Sequence, residues 1–235
     1  MTRTDTVRVG GSPMPMYIAT PNGNGPHPAI VVMCHIGGVD AFTKDRCDRL
    51  AARGFLAVAP DIFHYHPWIE DRNERRATLR DVRMVADIEA ALAHVEATQQ
   101  VDAGRLGILG HCLGGRNALL GAGAIPRFRA LAKYYGGRTT ASWGDGLPSP
   151  FDMIRNIKGP VIGFFGNLDQ GPSPADVDML EAEMRRCGVP VEFHRYAGAG
   201  HAFQDHTEPA RYHEAAATDA WARTLAFFER TLGTV

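Results

Sequence analysis

The stretch Gly107-Ile108-Leu109-Gly110-His111-Cys112-Leu113-Gly114-Gly115 constrains the fold of this chain more than any other. It reads as a buried strand that runs straight into a glycine-flanked turn and then a helix. A single cysteine sits where the turn is sharpest. This is the pattern G-x-Nuc-x-G, a nucleophile on a strained strand-to-helix turn, with Cys112 in the nucleophile's place. Side chains at Gly110 or Gly114 would collide with the neighbouring strand and helix. Backbone N–H groups at a helix start point at any anion formed there, and that setting favours thiolate over thiol. A reactive cysteine is the functional reading. A buried structural thiol beside a Gly-rich turn is the competing one.

The rest of the composition narrows the classes around that turn. With 235 residues the chain suits one domain over 1–235, able to bury roughly 70–75% of its unfolded surface. Charged residues make up 22%, hydrophobic residues 45%, and the formal net charge is −1. No global positive field exists to attract phosphates, so neither a nucleic-acid nor a membrane-surface partner is expected. The four cysteines, at 34, 47, 112 and 187, form no CxxC pair and no dense disulfide framework. The first residues, Met1-Thr2-Arg3-Thr4-Asp5, lack the apolar core of a signal peptide. The longest apolar run, Ala29 to Cys34, is far too short to span a bilayer. A reducing cytoplasm is the expected address, and it would keep Cys112 free.

Apolar runs alternate with helical patterns over most of the length. Thr6–Val9 and Met14–Ala19 read as two short strands opening a hairpin. Ala29–Cys34 reads as a strand buried on both faces, and 44–53 as a short helix closed by Gly54. Phe55–Ala59 is the next strand. From Thr78 to Thr98, Val82, Val85, Ile88, Leu92 and Val95 recur at helical spacing. Arg105–Leu109 precedes the sharp turn and a helix over 113–121 follows it. Strands are expected at 130–135, 161–166 and 191–196, and helices at 175–187 and 212–232. The fold class is therefore α/β: a mostly parallel central sheet with helices on both faces and an antiparallel N-terminal edge. Phe63–Arg76 and Gly136–Asp152 are long polar, aromatic-rich excursions, the kind of connection that rims a site.

A thiol nucleophile needs a base, and the base needs something to orient it. Gly166-Asn167-Leu168-Asp169 follows one apolar strand, and Gly198-Ala199-Gly200-His201 follows the last one. Both residues fall at C-terminal strand ends, the side where open α/β sheets build sites. The chain order Cys112, Asp169, His201 is the nucleophile–acid–histidine order of the α/β-hydrolase fold. Asp145, Asp152 and Asp176 are rivals for the acid, but none directly follows a buried strand. Two backbone N–H groups should hold an oxyanion: Leu113, next to the nucleophile, and Ile36, in the loop Cys34-His35-Ile36-Gly37-Gly38.

On Gly110-His111-Cys112-Leu113-Gly114-Gly115, Gly166-Asn167-Leu168-Asp169, Ala199-Gly200-His201-Ala202-Phe203 and Val58-Ala59-Pro60-Asp61, the sequence resembles the dienelactone hydrolase family over nearly its whole length. The resemblance implies hydrolysis of an ester or lactone through a Cys-His-Asp triad and a thioester intermediate, with neither metal nor organic cofactor. Two places depart from the family. His35 stands where dienelactone hydrolase has a glutamate that helps regulate the thiol. Asp205 stands where the founding enzyme has a carboxylate-binding arginine, and it would repel an anionic group. Both weigh against the dienelactone as substrate, not against the hydrolase chemistry.

The candidate substrate contacts are His35, Arg76, Trp143 and Phe203. His35 would pair with the thiolate or bond a substrate oxygen. Arg72, Arg75, Arg76, Arg80 and Arg83, interleaved with Glu70, Asp71, Glu74 and Asp81, read mostly as a solvated, paired face. One or two of them would reach a substrate carboxylate, since the family keeps such an arginine in this region. No metal site is expected, because His64 and His66 lack a third ligand nearby. The expected activity is cleavage of a small ester or lactone by a monomer or small homo-oligomer. The alternatives are a non-catalytic receptor or thiol redox sensor on the same fold, or hydrolysis of a C–N or C–C bond in a cyclic substrate.

Overall fold

The structure, a computed structural model, describes residues 1–233, so the last two residues of the expected domain lie outside it. In chain order the elements are β1 (Thr2–Val9), β2 (Ser12–Ala19), β3 (His27–Met33), α1 (Ala41–Ala51), β4 (Leu56–Pro60), α2 (Arg72–Ala77), α3 (Asp81–Glu96), β5 (Val101–His111), α4 (Leu113–Ala124), β6 (Phe128–Tyr134), β7 (Val161–Gly166), α5 (Pro174–Arg186), β8 (Val191–Tyr196) and α6 (Glu214–Leu232). Eight strands form one sheet in the order β1-β2-β4-β3-β5-β6-β7-β8. β1 pairs antiparallel with β2 and β2 antiparallel with β4, while β4 through β8 run parallel. The antiparallel edge and the parallel body both match the reading of the sequence.

The near-continuous apolar runs have a simple cause. β3 buries all seven of its residues. Ala29, Val31 and Met33 point into one hydrophobic cluster and Ile30 and Val32 into the other, as the two-residue period of a strand requires. Ile88 and Leu92 of α3, Leu119 of α4 and Leu180 of α5 cover the first face. Leu50 of α1 and Trp221, Leu225 and Phe228 of α6 cover the second. Each such side chain, once fully buried, contributes about 1.5–3 kcal/mol. Gly54 and Gly188 end their helices with φ of +89° and +72°, the left-handed conformation that glycine adopts without strain. Among the described residues no helix is long and apolar enough to cross a membrane.

One helix differs from its expected extent. The helix expected over Thr78–Thr98 begins only at Asp81, as α3, and a separate short helix, α2, precedes it at the end of the Phe63–Arg76 excursion and stops at Ala77. Thr78 Oγ1 donates to Arg75 O at 2.8 Å and Arg80 is extended. The break delivers Asp81 to a buried arginine and to the loop around Trp143, both described below. Helical periodicity alone does not encode that tertiary demand.

Candidate active site

Cys112 follows β5 directly and starts α4 with φ 54° and ψ −120°, a conformation that costs a non-glycine residue of order 1–3 kcal/mol. The surroundings leave the chain no alternative. A Cβ on Gly110 would lie 2.0 Å from Gly114 O, and one on Gly114 would lie 2.0 Å from Met33 O. The first contact is with the helix and the second with strand β3, so both glycines are sterically required. Cys112 N–H donates to Tyr134 O at 3.1 Å, which ties the turn to the end of β6.

The three residues expected to meet do meet. His201 Nε2 lies 3.0 Å from Cys112 Sγ, and His201 Nδ1 lies 2.8 Å from Asp169 Oδ2. The second oxygen of Asp169 accepts from Gly171 N–H at 2.8 Å, which fixes the carboxylate plane. The acid and histidine loops touch because Gly166 has no side chain: a Cβ there would be 2.3 Å from Ala199 O. Leu168 N–H then donates to Ala199 O at 3.0 Å. Burial opposes a charge on His201, but the hydrogen bonds to Asp169 and Cys112 prevail and push its imidazole up to about 10. The rival acids are engaged elsewhere. Asp152 accepts from Ser149 Oγ at 2.6 Å, Asp176 closes the capping box of α5 with Ser173, and Asp145 is exposed.

Cys112 opens into a pocket of about 790 Å3 that Ile36, Leu113, Arg76 and Trp143 also line. The N–H groups of Ile36 and Leu113 donate to no protein acceptor among the described residues. Arg75 holds the Ile36 loop in place: its Nη2 donates to Ile36 O at 2.7 Å and its guanidinium lies 4.2 Å from the centre of the Phe63 ring.

The other expected contacts need correction. Phe203 does not reach the pocket. It is fully buried against Tyr135 and Tyr196, with ring centres 5.2 and 5.3 Å away. His35 turns away from the thiol: its Nε2 is 2.7 Å from Asp40 Oδ2 and its Nδ1 4.0 Å from Asp205 Oδ2. Asp205 itself is buried and accepts from Thr207 N–H and Oγ1, so it does not face a ligand in this pocket. The basic run is not a paired face either. Arg72 and Arg76 line the pocket, and none of the five arginines pairs with Glu70, Asp71 or Glu74. His64 is buried on Asp87 at 3.0 Å, remote from any role beside His66.

Two groups were not anticipated. Arg116, only 1% exposed, lies one helical turn after Cys112. It grips both oxygens of Asp81 at 2.7 and 3.0 Å, donates to Arg138 O and Ala141 O at 3.1 and 2.6 Å, and lies 3.6 Å from the centre of the Trp143 ring. Asp81 Oδ2 also accepts from Trp143 N–H at 2.8 Å. This cluster pins the 136–152 excursion over the pocket. The available signal is the charged Arg116, next to Asn117, inside the otherwise apolar run Leu113–Ala124. Lys133, fully buried on β6, donates to Gly136 O at the start of the same excursion. Burial, and then the Arg116 charge, push its ammonium down to about 7. The second group is Arg138 and Arg211, which join Arg72 and Arg76 on the pocket wall. None of these four guanidinium groups has a protein acceptor among the described residues.

Comparison with known proteins shows the family and the fold. The model of the dienelactone hydrolase family matches residues 14–232. A candidate carboxymethylenebutenolidase of Methylorubrum extorquens is 33% identical over 92% of this chain and 77% of its own length. A Bradyrhizobium protein named a probable 2-oxo-3-(5-oxofuran-2-ylidene)propanoate lactonase is 34% identical over 90% of this chain and 87% of its own. The crystal structure of a candidate dienelactone hydrolase from Klebsiella pneumoniae superposes with a TM-score of 0.85 at 31% identity, covering 98% of both chains. From sheet order to family match, the chain belongs to the dienelactone hydrolase family, a family of α/β-hydrolase fold.

Proposed function

We propose that this hydrolase uses Cys112 as nucleophile on a small enol ester or lactone that carries negative charge. One observation carries the reading: sulfur, imidazole and carboxylate stand in hydrogen-bonding line, 3.0 and 2.8 Å apart, at the floor of an arginine-walled pocket. Charge in the pocket supports the anionic substrate. Arg72, Arg76, Arg138 and Arg211 have no protein counter-ion among the described residues, whereas of the lining acids Asp169 serves His201 and Asp176 serves a helix cap. The Bradyrhizobium relative's name describes a lactone bearing a propanoate group, which is consistent with that charge.

The steps follow from the geometry. Thiolate attacks the carbonyl carbon, the C–S bond forms, and the carbonyl electrons move to oxygen, where the Ile36 and Leu113 N–H groups receive them. The oxyanion collapses, the C–O bond breaks, and His201 Nε2 gives its proton to the leaving oxygen. A thioester on Cys112 remains. Water attacks it, His201 Nε2 takes one of the water's protons, the C–S bond breaks to return the thiolate, and the carboxylic acid leaves and gives its remaining proton to solvent. Asp169 stays ionised throughout and holds the imidazole with Nε2 toward sulfur. In a lactone the leaving oxygen stays attached to the acyl chain, so the product is one ring-opened acid. A thiolate is also a good leaving group, so unactivated amides are poor substrates.

Turnover of p-nitrophenyl acetate by wild type and Cys112→Ala tests the reading. The variant should lose at least about 10³-fold in kcat. Activity that survives the substitution contradicts it. Rapid iodoacetamide labelling of Cys112 with no ester turnover by wild type would point instead to a thiol sensor.

A further inference from the structure

Between helices α1 and α6 lies a cleft of about 510 Å3 that shares no lining residue with the active pocket. Arg46 and Arg49 of α1 both stand over the indole of Trp221 on α6, with guanidinium carbons 4.7 and 5.0 Å from the ring centre. The two acids of the cleft are engaged: Asp45 accepts from Arg46, and Glu229 from Arg53. Ala217, Ala222, Leu225 and Ala226 supply an apolar side.

Three donor groups here lack an acceptor. Arg46 is only 3% exposed, yet its Nε and Nη2 share one oxygen of Asp45, and its Nη1 donates to nothing among the described residues. A guanidinium so deeply buried normally has its donors met. The Arg49 guanidinium and the buried indole N–H of Trp221 also have no acceptor among the described residues. Burial, and then the Arg46 charge, push the Arg49 guanidinium down, the mark of two like charges held close together. Three arginines against two acids leave one positive charge unbalanced. A carboxylate balances it, whereas a phosphate, at about −1.5 to −2 near neutral pH, overshoots.

We propose that this cleft is a second ligand site, for a monocarboxylate with an apolar body, whose carboxylate bridges Arg46 Nη1 and Arg49. Guanidinium groups match that geometry and charge. Nothing in the site depends on Cys112 acting as a nucleophile. The cleft backs onto the catalytic loop. Gln204 and His206, shortly after His201 in the chain, line it, and Gln204 Oε1 accepts from His111 Nε2, the residue before Cys112. An occupant therefore rests against the loop that carries the imidazole without entering the active pocket.

The chain holds three tryptophans, so three indole N–H resonances report three places: Trp221 in this cleft, Trp143 in the active pocket and Trp68 on an exposed loop. Replacing each in turn by Phe assigns them. Sodium benzoate titrated into the isotope-labelled protein should move the Trp221 resonance along a saturable curve. Benzamide, its neutral counterpart, should bind there about tenfold more weakly, and so should benzoate in Arg49→Gln, the effect of one charge-assisted contact. Arg49 is exposed, so the variant spares the core, and an unchanged Trp143 response to benzoate shows its fold intact. A Trp221 resonance unmoved by benzoate, moved as well by benzamide, or moved with the same Kd in Arg49→Gln overturns the proposal. Inorganic phosphate binding more tightly than benzoate at Trp221 overturns the choice of a monocarboxylate.

Discussion

Around Cys112 the chain works almost entirely with backbone, whereas around Trp143 it works with buried charge. At the nucleophile the geometry comes from missing side chains: Gly110 and Gly114 let helix α4 press against β5 and β3, and Gly166 lets the acid loop reach the histidine loop. At the pocket wall the geometry comes from a bidentate Arg116–Asp81 pair that also binds two loop carbonyls and an indole. The first arrangement is short-range and tolerates no added atom. The second spans residues 81 to 143 and depends on two charges staying together in a dry place. Chemistry and substrate fit thus rest on different physical supports, and substitutions should separate them.

The largest expected effect is on the chemical side. Asp169→Asn keeps the shape but supports the wrong imidazole tautomer, and kcat should fall about 10⁴-fold with little change in urea midpoint. An equal loss of stability would show that Asp169 is structural first. Next comes the wall. Arg116→Leu strands the Asp81 carboxylate in the interior and should cost about 3–5 kcal/mol in urea unfolding, with a raised KM. The double variant Arg116→Met with Asp81→Asn should recover part of that stability, since it removes both charges. If the double variant is no better than the single, the pair does not behave as a buried ion pair.

A smaller effect concerns pH. His201 is pushed up to about 10 in the folded protein, whereas an unfolded histidine titrates near ~6.5. The folded state therefore holds this proton more tightly. The stability it contributes is fully present below about pH 6.5 and is lost as pH rises through about 10. Urea midpoints of wild type and His201→Gln should differ most near pH 6 and converge toward pH 10.5. A difference that stays constant over that range contradicts the assignment.

The contrast between the two regions also explains what could be read from the sequence. The nucleophile turn is written locally: five consecutive residues carry both the strain and the space it needs. Asp169 and His201 are legible because each follows an apolar strand, and strand ends converge in a parallel sheet. The wall is not written locally. Nothing within the sequence near Asp81 distinguishes it from the solvated acids around it, and its partner lies 35 residues away. Phe203 and His35 were misplaced for a related reason. Proximity in sequence to a reactive residue does not determine which side of a turn a side chain takes, and the core claimed Phe203 while Asp40 and Asp205 claimed His35. Arg211 lies in a loop with no periodic pattern, so only the folded chain brings it beside His201.

The account stands on a covalent bond between the substrate's acyl group and one sulfur. Acid-quenching the protein during turnover of p-nitrophenyl acetate and mapping its peptides by mass spectrometry tests this directly. The prediction is a single acetyl group on the peptide containing Cys112, absent from Cys112→Ala and accumulating when His201→Gln slows deacylation. Sustained turnover with Cys112 unmodified, or with the acetyl group on another residue, would contradict it.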